Sequence, residues 1–168
     1  VPQDVFLFSD TVAENIRFGA TEADKIAVQQ AARLACVHEE IERFQQGYET
    51  LIGERGVTLS GGQKQRISIA RALLKNPQIV VFDDCLSAVD ARTEKEIIGN
   101  LNEYLQNKTA IIITHRIFSL FDFDQVLVLQ DGKLVEIGTH TELLAKEGHY
   151  ASLWKRQQSE ESEGENAL

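Results

Sequence analysis

Apolar residues recur along this chain in three rhythms, and each rhythm specifies a different kind of element. Consecutive apolar residues at 79–82 (Ile79-Val80-Val81-Phe82), and at 110–113 within the segment Thr109 to Thr114, read as strands buried on both faces of a parallel sheet. Spacing by three and four marks helices: Ala23, Ile26, Ala27, Ala31, Leu34 and Ala35 share one face, as do Ile97, Ile98, Leu101 and Leu105. Segments 125–130 and 133–137 flank Asp131-Gly132, the dipeptide favoured by a two-residue hairpin turn. Residues 5–8 form a short apolar run, 11–18 a short helical turn, and 47–56 a loop.

Polar residues then fix the ends. Ser60-x-x-Gln63 and Thr139-x-x-Glu142 have the spacing of a capping box, and Thr21-x-x-Asp24 resembles one, so helices are expected to open there. The helix from 61 runs to about 75 and stops before Pro77. Another spans 91–105, and a last helical pair carries Leu143, Leu144, Leu153 and Trp154. Strands alternating with helices predict an α/β fold with a largely parallel sheet.

Composition narrows the picture. A chain of 168 residues is long enough for one sizeable core. Its formal charge of −9 includes four Glu in residues 159–168, and without them the body carries −5. The expectation is an acidic disordered tail at 159–168 and a body with no broad basic face for nucleic acid. No apolar run approaches the roughly 18 residues that cross a bilayer. Cys36 and Cys85 have no metal-site spacing and read as reduced structural thiols. The sequence contains no Met, and Val1-Pro2-Gln3-Asp4 reads as the interior of a longer chain, so a fragment is expected.

Four places carry candidate chemistry. In Leu59-Ser60-Gly61-Gly62-Gln63, a capped helix opens on two glycines, each of which weakens a helix by about 1 kcal/mol relative to Ala. Their use there is to let a ligand approach bare N–H groups at the positive end of the helix dipole, where anions bind. Strand 79–82 delivers Asp83 and Asp84 to its C-terminal end, the edge at which open α/β sheets bind ligands. One carboxylate there can hold Mg²⁺ while its neighbour orients a water. The strand ending in Thr114 presents His115, which can hydrogen-bond a phosphate or a water. Gln3 offers a neutral amide for Mg²⁺ or water. Each has a plainer reading alone: a capped helix, acids solvating a strand end, a structural histidine, a surface glutamine.

In this order and spacing the residues closely resemble the ABC ATPase family, over roughly 1–158. Residues 59–63 are identical to the family's signature, and 79–84 resemble its Walker B strand. Ser87-Ala88-Val89-Asp90 is similar to the D-loop, His115 to the switch histidine, and Gln3 to the Q-loop glutamine. Segments 10–19 and 50–56, the latter similar to the X-loop near the membrane domain's coupling helices, resemble exporters, as does 132–144.

The resemblance implies a P-loop NTPase-like fold, incomplete here, with a helical signature subdomain at about 19–76 and a core at 77–158. It implies ATP and Mg²⁺ as ligands, a second nucleotide-binding domain and a transmembrane domain as partners, and a place on the cytoplasmic face of a membrane. In the family's head-to-tail dimer, Asp83, Asp84, His115 and Gln3 would serve this chain's own site. Ser60, Gly61, Gly62 and Gln63, bordered by Asp90, would complete the partner's. The alternatives are a regulatory half that binds ATP without turnover, and a soluble ABC ATPase.

Two departures stand out. Nothing in the sequence matches G-x-x-x-x-G-K-[ST], the loop that cradles phosphates. The position after Asp83, commonly Glu in active members, is Asp84, one methylene shorter; a displacement of about 1 Å in a positioning group costs on the order of 100-fold in rate. That pattern resembles the degenerate half of heterodimeric exporters, so a heterodimer is the favoured expectation.

Overall fold

Five helices begin at a side chain that accepts a hydrogen bond from the helix's own first turn. The computed structural model describes residues 1–53, 58–117, 121 and 123–165. Thr11 caps α1 (Val12–Arg17), Asp24 caps α2 (Lys25–Leu34), Ser60 caps α4 (Gly61–Leu74), Asp90 caps α5 (Ala91–Tyr104) and Thr139 caps α6 (His140–Ala145). Between the second and third of these lie the short α3 (His38–Glu42) and a 3-10 turn, Gly47–Glu49. The strands are β1 (Ile79–Asp83), β2 (Thr109–Ile113), β3 (Val126–Gln130) and β4 (Lys133–Gly138), and α7 (His149–Glu165) ends the described chain.

The chain divides into two units, 1–114 and 115–168. In the first, β1 and β2 pair in parallel, Ile79 opposite Thr109 through Asp83 opposite Ile113. Val80 and Phe82 are buried on one face. The helical part packs α4 against α1 and α2 around Val12, Ile16, Val28, Ala32, Ile67 and Ile69, all nearly inaccessible to solvent. The second unit is an antiparallel hairpin of β3 and β4 backed by α6 and α7, with Val128, Leu143 and Tyr150 at its centre. Asp131 and Gly132 both have positive φ (51° and 74°), as the Asp-Gly turn requires. The Glu136 carboxylate accepts from His149 N (2.6 Å) and Tyr150 N (3.0 Å) and so caps α7.

Three expectations change. The second helix starts at Lys25 instead of 21, because Asp24 accepts from Ala27 N at 2.8 Å and is itself the cap. That leaves Ala23 in the preceding turn and Ile26 exposed, while Val28, Ala31, Ala32 and Ala35 face the core. Nor are the parallel strands covered on both faces: Ile79, Val81, Ile111 and Ile113 are exposed, Ile79 by 65%. Their apolar runs reflect what the strands are suited to bury, and among the described residues that face has no cover. Finally, α7 carries helical backbone to Glu165, into the segment expected as an acidic tail. Glu54, Arg55 and Gly56 of the segment resembling the X-loop lie outside the described residues.

Candidate functional site

The first turn of α4 is built by its own sequence. Gln63 N donates to Ser60 Oγ (3.1 Å) and Ser60 N donates to Gln63 Oε1 (2.9 Å), closing the capping box that the spacing predicts. The other end of the Gln63 amide donates to Glu40 Oε2 at 2.9 Å. Arg66, buried, donates to Glu40 Oε1 (2.6 Å), to the Cys36 carbonyl (2.8 Å) and back to the Gly62 carbonyl (3.2 Å). Burial pushes the Glu40 carboxyl up, but the hydrogen bonds from Arg66 and Gln63 outweigh it and hold the group below the usual carboxylate range.

The glycines behind Ser60 have a role that sequence reasoning missed. A Cβ on Gly62 would stand 2.8 Å from the Ala88 carbonyl oxygen, and one on Gly61 would stand 3.3 Å from Ala88 Cβ. The opening of α4 is therefore pressed against the loop at 86–90 of the same chain. Close approach of two backbones is thus a reason for glycine here that holds without any ligand.

That loop follows β1 directly. Val1 lies along one edge of β1, its carbonyl accepting from Asp83 N at 2.9 Å, and this brings Gln3 to the strand's C-terminal end. There Gln3 Nε2 donates to Asp84 Oδ2 at 3.1 Å. Asp84 N donates to the Ile113 carbonyl of β2 (2.8 Å), and the residue then turns through φ +43°, a conformation Asp tolerates better than most side chains. Ser87 Oγ donates to the Asp84 carbonyl at 3.0 Å.

Gln65 of α4, itself buried, reaches across: its Nε2 donates to Ser87 Oγ (3.0 Å) and its Oε1 accepts from Ala88 N (2.9 Å). No pattern in the sequence singled out Gln65 or Arg66, because their partners lie more than twenty positions away.

Asp90 ends the loop as the cap of α5, accepting from Thr93 N at 3.0 Å, and hydrogen bonds from Thr93 hold its exposed carboxyl below the usual range. The first unit thus brings together Gln3 with Asp83 and Asp84, and sets Ser60, Gly61, Gly62 and Gln63 beside the loop ending in Asp90. His115 opens the second unit, where it is exposed.

Donors at the end of β1 are oxygens of carboxylate and amide. Mg²⁺ prefers such donors, takes one or two protein carboxylates, and completes its shell with water and phosphate. No group of three or more His, Cys, Asp or Glu among the described residues could hold a metal, so a site here would be of that sparse kind. Cys85, just beyond, is buried, and burial pushes its thiol up to about 12, which suits a packing role.

Known proteins are similar to this chain in sequence and in fold. The ABC transporter family profile matches residues 1–87. The chain is 48% identical over 159 residues to ATP-binding cassette sub-family B member 6 of Xenopus tropicalis, covering 95% of this chain and 19% of that protein. It is 50% identical over 160 residues to the multidrug resistance-like ATP-binding protein MdlA of Escherichia coli (strain K12), covering 95% and 27%. Against the ATM1-type heavy metal exporter of Novosphingobium aromaticivorans it is 46% identical over 163 residues, covering 97% and 27%. The solved structure of a bacterial Atm1-family ABC exporter with ATP bound superimposes with a TM-score of 0.85 at 46% identity, covering 93% of this chain and 27% of that one. The chain spans between about a fifth and a quarter of the length of these relatives.

Proposed function

Because the chain belongs to the ABC transporter family, we propose that it forms part of the nucleotide-binding domain of an exporter, in which ATP draws two such domains together and hydrolysis releases them. The observation that carries this reading is the hydrogen bond from Gln3 to Asp84 at the end of β1, one short loop away from the capped, glycine-opened N-terminus of α4. Asp83 and the Gln3 amide oxygen would hold Mg²⁺, Asp84 would orient the attacking water at the chain's own site, and His115 would hydrogen-bond a phosphate or a water. Mg²⁺, when bound, offsets the negative charge of the phosphates. Ser60, Gly61, Gly62 and Gln63, bordered by Asp90, offer the N–H groups of α4 to ATP held by a second nucleotide-binding domain.

The work of export passes to a transmembrane domain through its coupling helices, with this part on the cytoplasmic face. No helix among the described residues is long and apolar enough to cross a membrane, consistent with that peripheral place. Exporters among the relatives favour this over a soluble ABC ATPase.

A second reading concerns rate. Asp84 is short, and its carboxylate is already engaged by Gln3. Both features favour a slow site, with the second domain, in a heterodimer, supplying most of the turnover. Hydrolysis by the complete transporter tests both ideas. Ser60→Ala with Gly62→Asp lowers ATP turnover at the opposite site by about 100-fold, and unaltered turnover sinks the assignment of α4. Asp84→Glu raises turnover at the chain's own site by about 10-fold or more, whereas an unchanged rate removes the slow-site reading.

A further inference from the structure

Helix α4 carries at its tip the residues offered to one ATP site, and four residues further on it touches the loop that leaves Asp84 of the other. Beside the close backbone approach at Gly62, Gln65 makes this contact. Gln65 is buried, at 6% exposure, and both ends of its amide are used on the loop: Nε2 on Ser87 Oγ at 3.0 Å, and Oε1 on Ala88 N at 2.9 Å. Ser87 passes the contact on by donating to the Asp84 carbonyl at 3.0 Å, and Gln3 meets the Asp84 carboxylate from the opposite side. Gly62 lets the Ala88 carbonyl come close enough for this bridge to form.

We propose that Gln65 is a positioning residue: its amide fixes Ser87 and Ala88, and through Ser87 it sets the backbone at Asp84, so that the placement of the water-orienting carboxylate depends on the position of α4. This rests on the assignment of Asp84 proposed above.

The physical case is one of geometry. Asp84 leaves the sheet in a left-handed conformation, so the direction of its side chain depends on what holds the following residues. An amide that donates at one end and accepts at the other fixes those residues in two directions at once, where a hydroxyl or an aliphatic chain fixes fewer. Burial strengthens both hydrogen bonds and makes their loss costly. Movement of α4 when its tip meets ATP in a second domain would therefore be felt at Asp84 through the Gln65 amide, which links the two sites that one chain serves.

The test uses the complete transporter, with hydrolysis at the second domain's site blocked so that kcat reports the chain's own site, and three variants. Gln65→Leu keeps the side-chain volume and removes both hydrogen bonds. Ser87→Ala, at an exposed position, removes the relay to Asp84 and the hydrogen bond from Gln65 Nε2, but keeps the one from Ala88 N to Gln65 Oε1. The double variant completes the cycle. The expected result is a fall in kcat of about 10- to 100-fold for Gln65→Leu, with the KM for ATP within about three-fold of wild type because no phosphate-binding group is touched. Ser87→Ala shows a smaller fall in kcat, also at unchanged KM, and the double variant is no slower than Gln65→Leu alone.

A kcat within two-fold of wild type in folded Gln65→Leu overturns the proposal. So does a rise in KM at constant kcat, or a double variant whose losses multiply. If Gln65→Leu does not fold, Ser87→Ala decides by the same kcat and KM criteria. A wild-type transporter that fails to hydrolyse ATP overturns the underlying functional reading instead, which separates the two failures.

Discussion

The two ends of α4 are held by different chemistry. At its start the contacts with the loop at 86–90 are made by backbone proximity and a neutral amide: Gly62 against the Ala88 carbonyl, and Gln65 on Ser87 and Ala88. At its far end a guanidinium does the holding. Arg71 donates to the Asn15 carbonyl (2.7 Å), to Asn15 Oδ1 (3.0 Å) and to the Phe6 carbonyl (3.0 Å), and it lies over the rings of Phe8 and Phe18. Asn15, fully buried, spends its amide on Phe8 and Thr11 of the same segment. The far end therefore ties α4 to the stretch that follows Gln3 with a charged, many-toothed contact. The near end meets the loop at 86–90 through hydrogen bonds between uncharged groups, while Glu40 holds its other side. One contact resists displacement, and the other can be adjusted at smaller cost.

Substitutions separate the two. The largest effect is expected at the far end: Asn15→Ala leaves the half-buried Phe8 N–H and part of the half-buried Arg71 guanidinium without their partner, at a cost of about 3 kcal/mol. Denaturant unfolding reads this directly, and a loss below 1 kcal/mol would show the clamp to be a surface contact in disguise. Gly62→Ala, at the near end, drives a Cβ into the Ala88 carbonyl, and a cost of about 1–3 kcal/mol is expected from overpacking. ATP turnover should suffer more than stability, since the displaced loop leads to Asp84. A variant that melts early but turns over normally would place the constraint in folding alone.

The smallest effect concerns Glu40, which ties the first turns of α4 to α3 through Gln63 and Arg66. Its folded-state carboxyl titrates below the ordinary value of 4.5. The stability it contributes is therefore complete above about pH 4.5 and is lost as pH falls through the lower, folded value. Glu40→Gln should lower the melting temperature slightly at pH 7 and flatten its decline on the acid side. An unchanged acid slope would mean that Glu40 is not among the groups that set it.

Local chemistry was legible in the sequence where cause and effect lie within one turn. Ser60-x-x-Gln63 and Thr139-x-x-Glu142 form the capping boxes their spacing predicts, and Asp131-Gly132 makes the hairpin turn. Thr21-x-x-Asp24 misled because either polar residue can begin a helix, and the better cap was the later one. The polar residues that assemble the site were invisible for another reason. Asn15 and Arg71 meet across 56 positions, and Gln65 reaches Ala88 across 23. No periodicity encodes such a pairing, and in a helical pattern a buried Arg or Gln looks like an ordinary solvated residue. The strand runs were read correctly as parallel partners, yet the apolar face bearing Val81 and Ile111 shows that a run reports what a strand is suited to cover, whatever then lies against it.

The contact between the opening of α4 and residue 88 also shapes how the sequence can drift. Gly61 faces the methyl of Ala88, and Gly62 faces its carbonyl. Side-chain size at 61 and at 88 is thus a shared allotment: a larger residue at one is tolerated only while the other stays small. Position 62 has no such exchange available, because its neighbour is backbone and cannot be mutated away. Among descendants of this chain, 61 and 88 should vary as a pair, and 62 should stay fixed even where turnover is no longer required, as long as the loop keeps its place.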